Sequence, residues 1–237
     1  MDVTREAQLR ANLAGVHERI DAAARAAGRD PADVALVVVT KYFPASDVQA
    51  LARLGVTEVG ENRHQEAAAK REECDAAGAS GLRWHFIGGL QSNKAGAVAR
   101  WADEVESVDR AKLVGPLDRG AAERGRPLDV LLQVSLDPPG REQRAGADPA
   151  DLDALADRVA DAEHLRLRGL MAVAPLGEEP AAAFARLAGI RSAFLAHHPD
   201  ATVLSAGMSG DLEQAVAAGA THVRVGTAVL GSRPSVQ

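Results

Sequence analysis

A single cysteine, Cys74, sits beside the charged segment Lys70-Arg71-Glu72-Glu73, which excludes an internal disulfide framework and a cysteine-ligated metal site. Cationic excess is missing as well. The net charge of −6 and the pI near 5.7 argue against partners made of nucleic-acid backbone or anionic lipid. No apolar run is long enough to cross a bilayer, and Met1-Asp2-Val3-Thr4-Arg5-Glu6 lacks the apolar core of a secretion signal. Together these absences predict a soluble, cytoplasmic protein that binds neither nucleic acid nor membrane. No Pro/Gly/Ser-rich linker divides the chain, so residues 1–237 are read as one domain.

What is present begins with an Ala-rich helix over 4–27, whose Leu9, Leu13, Val16 and Ile20 share a stripe and whose stop is Gly28. Residues 1–28 thus precede a regular rhythm over 34–231. Short apolar runs recur at 34–40, 56–60, 84–88, 104–108, 128–136, 165–173, 202–206 and 222–230. Segments of helical spacing lie between them at 44–54, 62–77, 92–101, 110–125, 149–161, 180–197 and 210–218. Strands alternating with helices pair in parallel, because each crossover helix returns the chain to the same end. Eight such units at about 26 residues each match an α/β fold of the (β/α)8 TIM-barrel kind with an extra N-terminal helix. A doubly wound open sheet is the alternative, but no Gly-x-Gly-x-x-Gly follows the first strand.

In such a barrel, chemistry belongs to the C-terminal ends of the strands. The first run, Val34-Ala35-Leu36-Val37-Val38-Val39-Thr40-Lys41, ends in an amine. Desolvation at a core edge favours the neutral, nucleophilic form of a lysine, as a Schiff base requires; an ordinary surface lysine is the alternative. The other ends carry Glu61-Asn62, His85 with Gly88-Gly89, Asp109, Gln133 and Ser135, Met171, Gly207-Met208-Ser209, and Arg224 with Gly226-Thr227. Among these ends there is no carboxylate pair, nucleophile–His couple or His/Asp metal cluster, so neither a catalytic residue nor a metal site is assigned.

Several of these residues have ordinary explanations too. Ser209 suits an N-cap with Asp211 in the first turn, and Asn62 with Gln65 has capping-box spacing. His85 reads as a satisfied core histidine, and His64, His197 and His198 as surface helix residues. Period two puts Arg224 and Gly226 on the face opposite Val223 and Val225, hence Arg224 inside the barrel, with no carboxylate nearby in sequence to pair it. Glycine-bearing turns after the last two strands occupy the usual phosphate position of this fold.

The motifs Val39-Thr40-Lys41, Gly60-Glu61-Asn62, Trp84-His85-Phe86-Ile87-Gly88 with Leu90-Gln91-Ser92-Asn93-Lys94, Leu167-Arg168-Gly169-Leu170-Met171, Leu204-Ser205-x-Gly207-Met208-Ser209 and Val223-Arg224-Val225-Gly226-Thr227 occur in this order. Together they resemble the pyridoxal phosphate homeostasis protein family, single-domain relatives of the alanine racemase barrel. The resemblance implies pyridoxal 5′-phosphate held as a Schiff base on Lys41, with Asn62 and Met208 facing the site. It sets the phosphate against Ser209, Gly226 and Thr227, and Arg224 beside the pyridine nitrogen. The chain departs from the family pattern at Phe43, where a second lysine is common. It departs again after the fifth strand, where Ser135 and Arg141 or Arg144 replace an Asn and a Lys.

The implied function is a cofactor holder in vitamin B6 homeostasis, possessing no substantial turnover and serving pyridoxal-phosphate-dependent recipient enzymes; a weak amino-acid racemase is the alternative. Arginine keeps its proton, so beside the ring nitrogen it weakens the ring as an electron sink. Two-base racemisation needs a second base, and the single tyrosine, Tyr42, follows Lys41 directly, where continued strand geometry points it to the opposite face. No sequence remains for the β domain through which racemase subunits pair, so a monomer is expected.

Overall fold

Runs rich in Val and Leu, too short and too β-branched to make helices, become the staves of a barrel. In the computed structural model, which describes residues 3–138 and 145–232, the strands are β1 (Ala35–Val39), β2 (Glu58–Glu61), β3 (Arg83–Phe86), β4 (Glu104–Val108), β5 (Leu128–Gln133), β6 (Leu165–Met171), β7 (Val203–Ser205) and β8 (His222–Val225). They form one closed barrel in chain order, each pair parallel. Closure comes from β1 against β8, with Val37 opposite Arg224 and Val38 opposite Val225. The doubly wound alternative is thereby set aside.

The helices are α1 (Val3–Ala26), α2 (Ala45–Arg53), α3 (His64–Ala76), α4 (Ser92–Ala99), α5 (Val114–Glu123), α6 (Leu152–Ala160), α7 (Pro180–His197), α8 (Leu212–Ala217) and α9 (Thr227–Leu230). The expected eighth run over 222–230 splits. Only His222–Val225 is strand, and the chain bends at Gly226 into the four-residue helix α9. So short a helix cannot cover the seam between β8 and β1. α1 covers it instead: Leu9, Leu13, Val16 and Ile20 are buried with Val38, Val223 and Val225 in one apolar cluster, joined by Leu212, Val216, Val229 and Leu230. A second, larger cluster surrounds the rest of the barrel.

Two expected caps are corrected. α8 starts at Leu212, and its N-cap is Asp211, not Ser209; Asp211 Oδ1 accepts the Met208 N–H at 2.6 Å, which closes the turn before the helix. α3 starts at His64 after Arg63, so Asn62 and Gln65 do not form a capping box. Ser135 is described, its Oγ accepting the Asp137 N–H at 3.2 Å, whereas Arg141 and Arg144 lie outside the described residues. Cys74 is buried, and burial pushes its thiol up to about 11, which makes it inert. Among the described residues no helix is long and apolar enough to cross a membrane.

Candidate functional site

At the C-terminal end of the barrel lies a cavity of about 460 Å³, and the seven residues singled out from the strand ends all line it: Lys41, Asn62, Met208, Ser209, Arg224, Gly226 and Thr227. Val39, Ile87, Gly88, Gly89, Met171, Val173 and Gly210 complete the wall. The arrangement follows from the parallel topology, which delivers every strand's last residue to the same rim.

Lys41, half-buried, provides the amine. β1 stops at Val39, and Tyr42 takes φ 71°, so strand geometry does not continue through Tyr42 as expected. Its ring lies under the Arg63 guanidinium, 4.9 Å from centroid to carbon. Beside Lys41 on the rim, β7 and β8 end in two short turns. The amide N–H groups of Ser209 and Gly210 donate to nothing among the described residues, and that of Thr227, first in α9, has no intrahelical acceptor. Three open amides beside Ser209 and Thr227 hydroxyls suit an anion with several acceptor oxygens. Gly226 packs its backbone onto β1: a Cβ there would meet Val39 O at 3.2 Å.

α1 supports both turns from behind. Arg19 donates to Ser209 O at 3.0 Å, Asn12 to Val229 O at 2.8 Å and Arg5 to Leu230 O at 3.1 Å. These contacts give the extra N-terminal helix a second task beyond covering the seam.

Arg224 is buried inside the barrel, as period two required. The partner missing from its sequence neighbourhood is supplied by the fold. Its Nη1 donates to Ser205 Oγ at 2.6 Å and lies 3.7 Å from Glu106 Oε2, while its Nη2 donates to Ala172 O at 2.8 Å. Ser205 in turn donates to Glu106 Oε2 at 2.5 Å. Burial pulls the guanidinium below its ordinary value, and Glu106 and Asp211 oppose that pull.

Beneath Arg224 the barrel holds further charge. His85 Nδ1 lies 2.9 Å from Glu106 Oε1 and 3.4 Å from Glu104 Oε1, so the histidine is a core residue with partners. Burial opposes its proton, but hydrogen bonds to Glu104 and Glu106 outweigh this and push it up to about 10. Burial likewise opposes ionisation of Glu104, yet His85 and Arg83 hold it down to about 2. The strand-end residues suggested no His–carboxylate cluster; the interior holds one, with ligand-type atoms of His85, Glu104 and Glu106 within 4.8 Å of one another. Both carboxylates already face arginines, Glu104 at 2.7 Å from Arg83, and the group is a charge network under the cavity floor. Glu104 and Glu106, two apart on β4, share a face by period two, which is the signal that could have revealed them.

His64 is less of a surface residue than expected: its Nδ1 accepts from Trp101 Nε1 at 2.9 Å, and it is half-buried. His197 and His198 both face Asp153, at 2.9 and 3.3 Å, with His198 the more covered. Asn62 Oδ1, on the cavity wall, is buried without a hydrogen-bond partner, an acceptor left for a ligand to satisfy.

The site therefore joins an amine, an unpaired amide oxygen, a buried guanidinium and a set of open backbone amides. That combination suits a planar carbonyl compound bearing a phosphate. Comparison with known proteins agrees. Residues 11–234 match the family model of the alanine racemase N-terminal domain. The pyridoxal phosphate homeostasis protein of Mycobacterium tuberculosis is 45% identical over 245 residues, covering 97% of this chain and 94% of that protein. That of Escherichia coli K12 is 40% identical over 225 residues, covering 94% and 95%. The solved structure of PipY from Synechococcus elongatus, with pyridoxal phosphate bound, superposes with a TM-score of 0.81 at 37% identity, covering 94% of this chain and all of that one. With nearly full-length matches at this identity, the chain belongs to the pyridoxal phosphate homeostasis protein family.

Proposed function

We propose that this protein holds pyridoxal 5′-phosphate in the cavity at the C-terminal end of its barrel and serves vitamin B6 balance, without substantial turnover of amino acids. The observation that carries the reading is the set of groups converging there: Lys41 together with the open amides of Ser209, Gly210 and Thr227. The bound cofactor supplies an aldehyde that condenses with an amine and a ring that can accept electrons. The residues present fit that group. Lys41 offers the amine, Ser209, Gly226 and Thr227 receive the phosphate, Asn62 Oδ1 finds a donor, and Met208 covers the ring from the exposed side.

Arg224 faces the ring nitrogen in this reading, and its hydrogen bonds to Ser205 and Ala172 fix its orientation. A guanidinium keeps its own proton and gives none to the ring, which limits carbanion chemistry. Tyr42, the sole tyrosine, is engaged under Arg63 and is not read as a second base. Holding and release is therefore favoured over racemisation. The same reading treats the chain as one functional unit acting as a monomer in the reducing cytoplasm, with pyridoxal-phosphate-dependent enzymes as recipients.

The test is an absorption spectrum of the protein mixed with pyridoxal phosphate, before and after borohydride, followed by peptide mapping. Reduction is expected to fix the label on Lys41. A label on Lys94 would overturn the site, and rapid Cα–H exchange on L-alanine that Lys41→Ala abolishes would overturn the non-catalytic reading.

A further inference from the structure

Thr40-Lys41-Tyr42-Phe43 is a tight turn, with the Phe43 N–H donating to Thr40 O at 3.1 Å. Its third residue has φ 71°, the backbone that a type II turn demands and that glycine normally supplies. Here the residue is Tyr42, the one non-glycine residue with positive φ among the described residues. Such a conformation costs a side-chain-bearing residue about 1–2 kcal/mol, so surrounding contacts must hold it.

Those contacts come from α3. Glu66 Oε1 accepts the Tyr42 N–H at 2.7 Å. One helical turn on, Lys70 Nζ donates to Thr40 O at 3.0 Å, and also to Glu66 Oε1 at 3.2 Å and Glu61 Oε1 at 2.5 Å. The Thr40 hydroxyl donates to the same Glu61 oxygen at 2.7 Å. Thr40 C=O belongs to the peptide before Lys41, and Tyr42 N–H to the peptide after it. Both peptide planes flanking the Lys41 Cα are therefore gripped, and together they set the direction of its Cα–Cβ bond.

Glu61 and Lys70 are 0% and 5% exposed. A buried ion pair is a poor source of stability, because desolvation offsets most of the attraction, so its use here is better matched to fixing geometry. None of Glu61, Glu66 and Lys70 lines the cavity that Lys41 enters.

We infer that Glu66 and Lys70 are positioning residues for Lys41: through the Tyr42 amide and the Thr40 carbonyl they hold the turn that aims its amine into the cavity. The inference rests on the proposed role of Lys41 and adds the device that makes the lysine effective. It predicts a specific split. Losing the clamp lowers the fraction of cofactor bound covalently while leaving intact the phosphate turns, which α1 rather than α3 supports.

The experiment compares Glu66→Ala, Glu66→Gln and Lys70→Met with wild type in two measurements. The first is the fraction of Lys41 peptide labelled by borohydride at saturating pyridoxal phosphate. The second is the affinity for pyridoxine 5′-phosphate, which carries the phosphate and ring but no aldehyde. Glu66→Ala and Lys70→Met are expected to lower labelling at least threefold, with the affinity for pyridoxine 5′-phosphate changed less than twofold. Glu66→Gln keeps an acceptor for the Tyr42 amide and is expected to restore most of the labelling. Glu66 is half-exposed, so its variants fold even if Lys70→Met does not. Normal labelling in Glu66→Ala would overturn this inference alone, as would equal loss of labelling and of pyridoxine 5′-phosphate binding. Absence of label from Lys41 in wild type would overturn the site reading itself, and this inference with it.

Discussion

His85 Nδ1 and Glu106 Oε1 face each other at 2.9 Å across β3 and β4, both side chains wholly inside the barrel. Although burial opposes it, the histidine keeps its proton up to about pH 10 because Glu106 and Glu104 surround it. A folded-state value raised above the ordinary 6.5 means that the native state binds this proton more tightly than the unfolded chain. The resulting stabilisation is complete below about pH 6.5 and is lost as pH climbs toward 10. Urea unfolding at pH 6, 8 and 10 should show stability falling by a few kcal/mol over that window, and His85→Gln should flatten the slope.

Arg224 and Glu106 form the next pair in the same network. Arg224→Met leaves His85 as the positive charge facing Glu106 and takes a donor from Ser205 Oγ and Ala172 O, which should cost about 3 kcal/mol. Glu106→Gln in the same chain also takes a carboxylate from His85, and the double variant should lose less than the sum of the single losses by about 1 kcal/mol. Additive losses in a double-mutant cycle would show that the two are uncoupled.

Ser209 contributes a hydroxyl beside an open amide, so Ser209→Ala trims one hydrogen bond to a charged group and leaves the backbone donors. The affinity for pyridoxal phosphate is expected to fall about tenfold, since such a bond contributes about 1.5 kcal/mol. An unchanged Kd in a fluorescence titration would remove the side chain from the phosphate site.

Asn12 touches no part of the cavity, yet it holds Val229 O in α9 at 2.8 Å. Asn12→Ala should cost about 1 kcal/mol of stability and raise the Kd for pyridoxal phosphate several-fold, by loosening the turn that carries Gly226 and Thr227. If Kd stays constant while stability falls, α1 supports the barrel without tuning the site.

The strand rhythm, the barrel and the gathering of Lys41, Asn62, Ser209 and Arg224 at one rim were legible in sequence, because parallel topology turns strand ends into neighbours. Arg224 pointed inward for the same reason, through the alternation Val223-Arg224-Val225. What lay hidden was set by distances along the chain. Glu106 and Ser205 are 99 residues apart, and nothing in either neighbourhood announces the other. Glu66 and Lys70 carried no signal, because opposite charges at i, i+4 spacing are common on any exposed helix face. The helix start at Leu212 was missed because the Asp211 carboxylate, rather than the Ser209 hydroxyl, closes the preceding turn.

α1 lies across the seam where the first strand meets the last. Its apolar stripe packs against Leu212, Val216, Val223 and Val229, so the helix stays without these partners until the last two strands of the barrel have been made. The cavity wall waits in the same way, since Lys41 meets Ser209 and Thr227 there only after β7 and β8 have joined. The cavity is consequently a product of barrel closure: a polypeptide halted before residue 207 carries Lys41 but neither of the two turns that share its cavity.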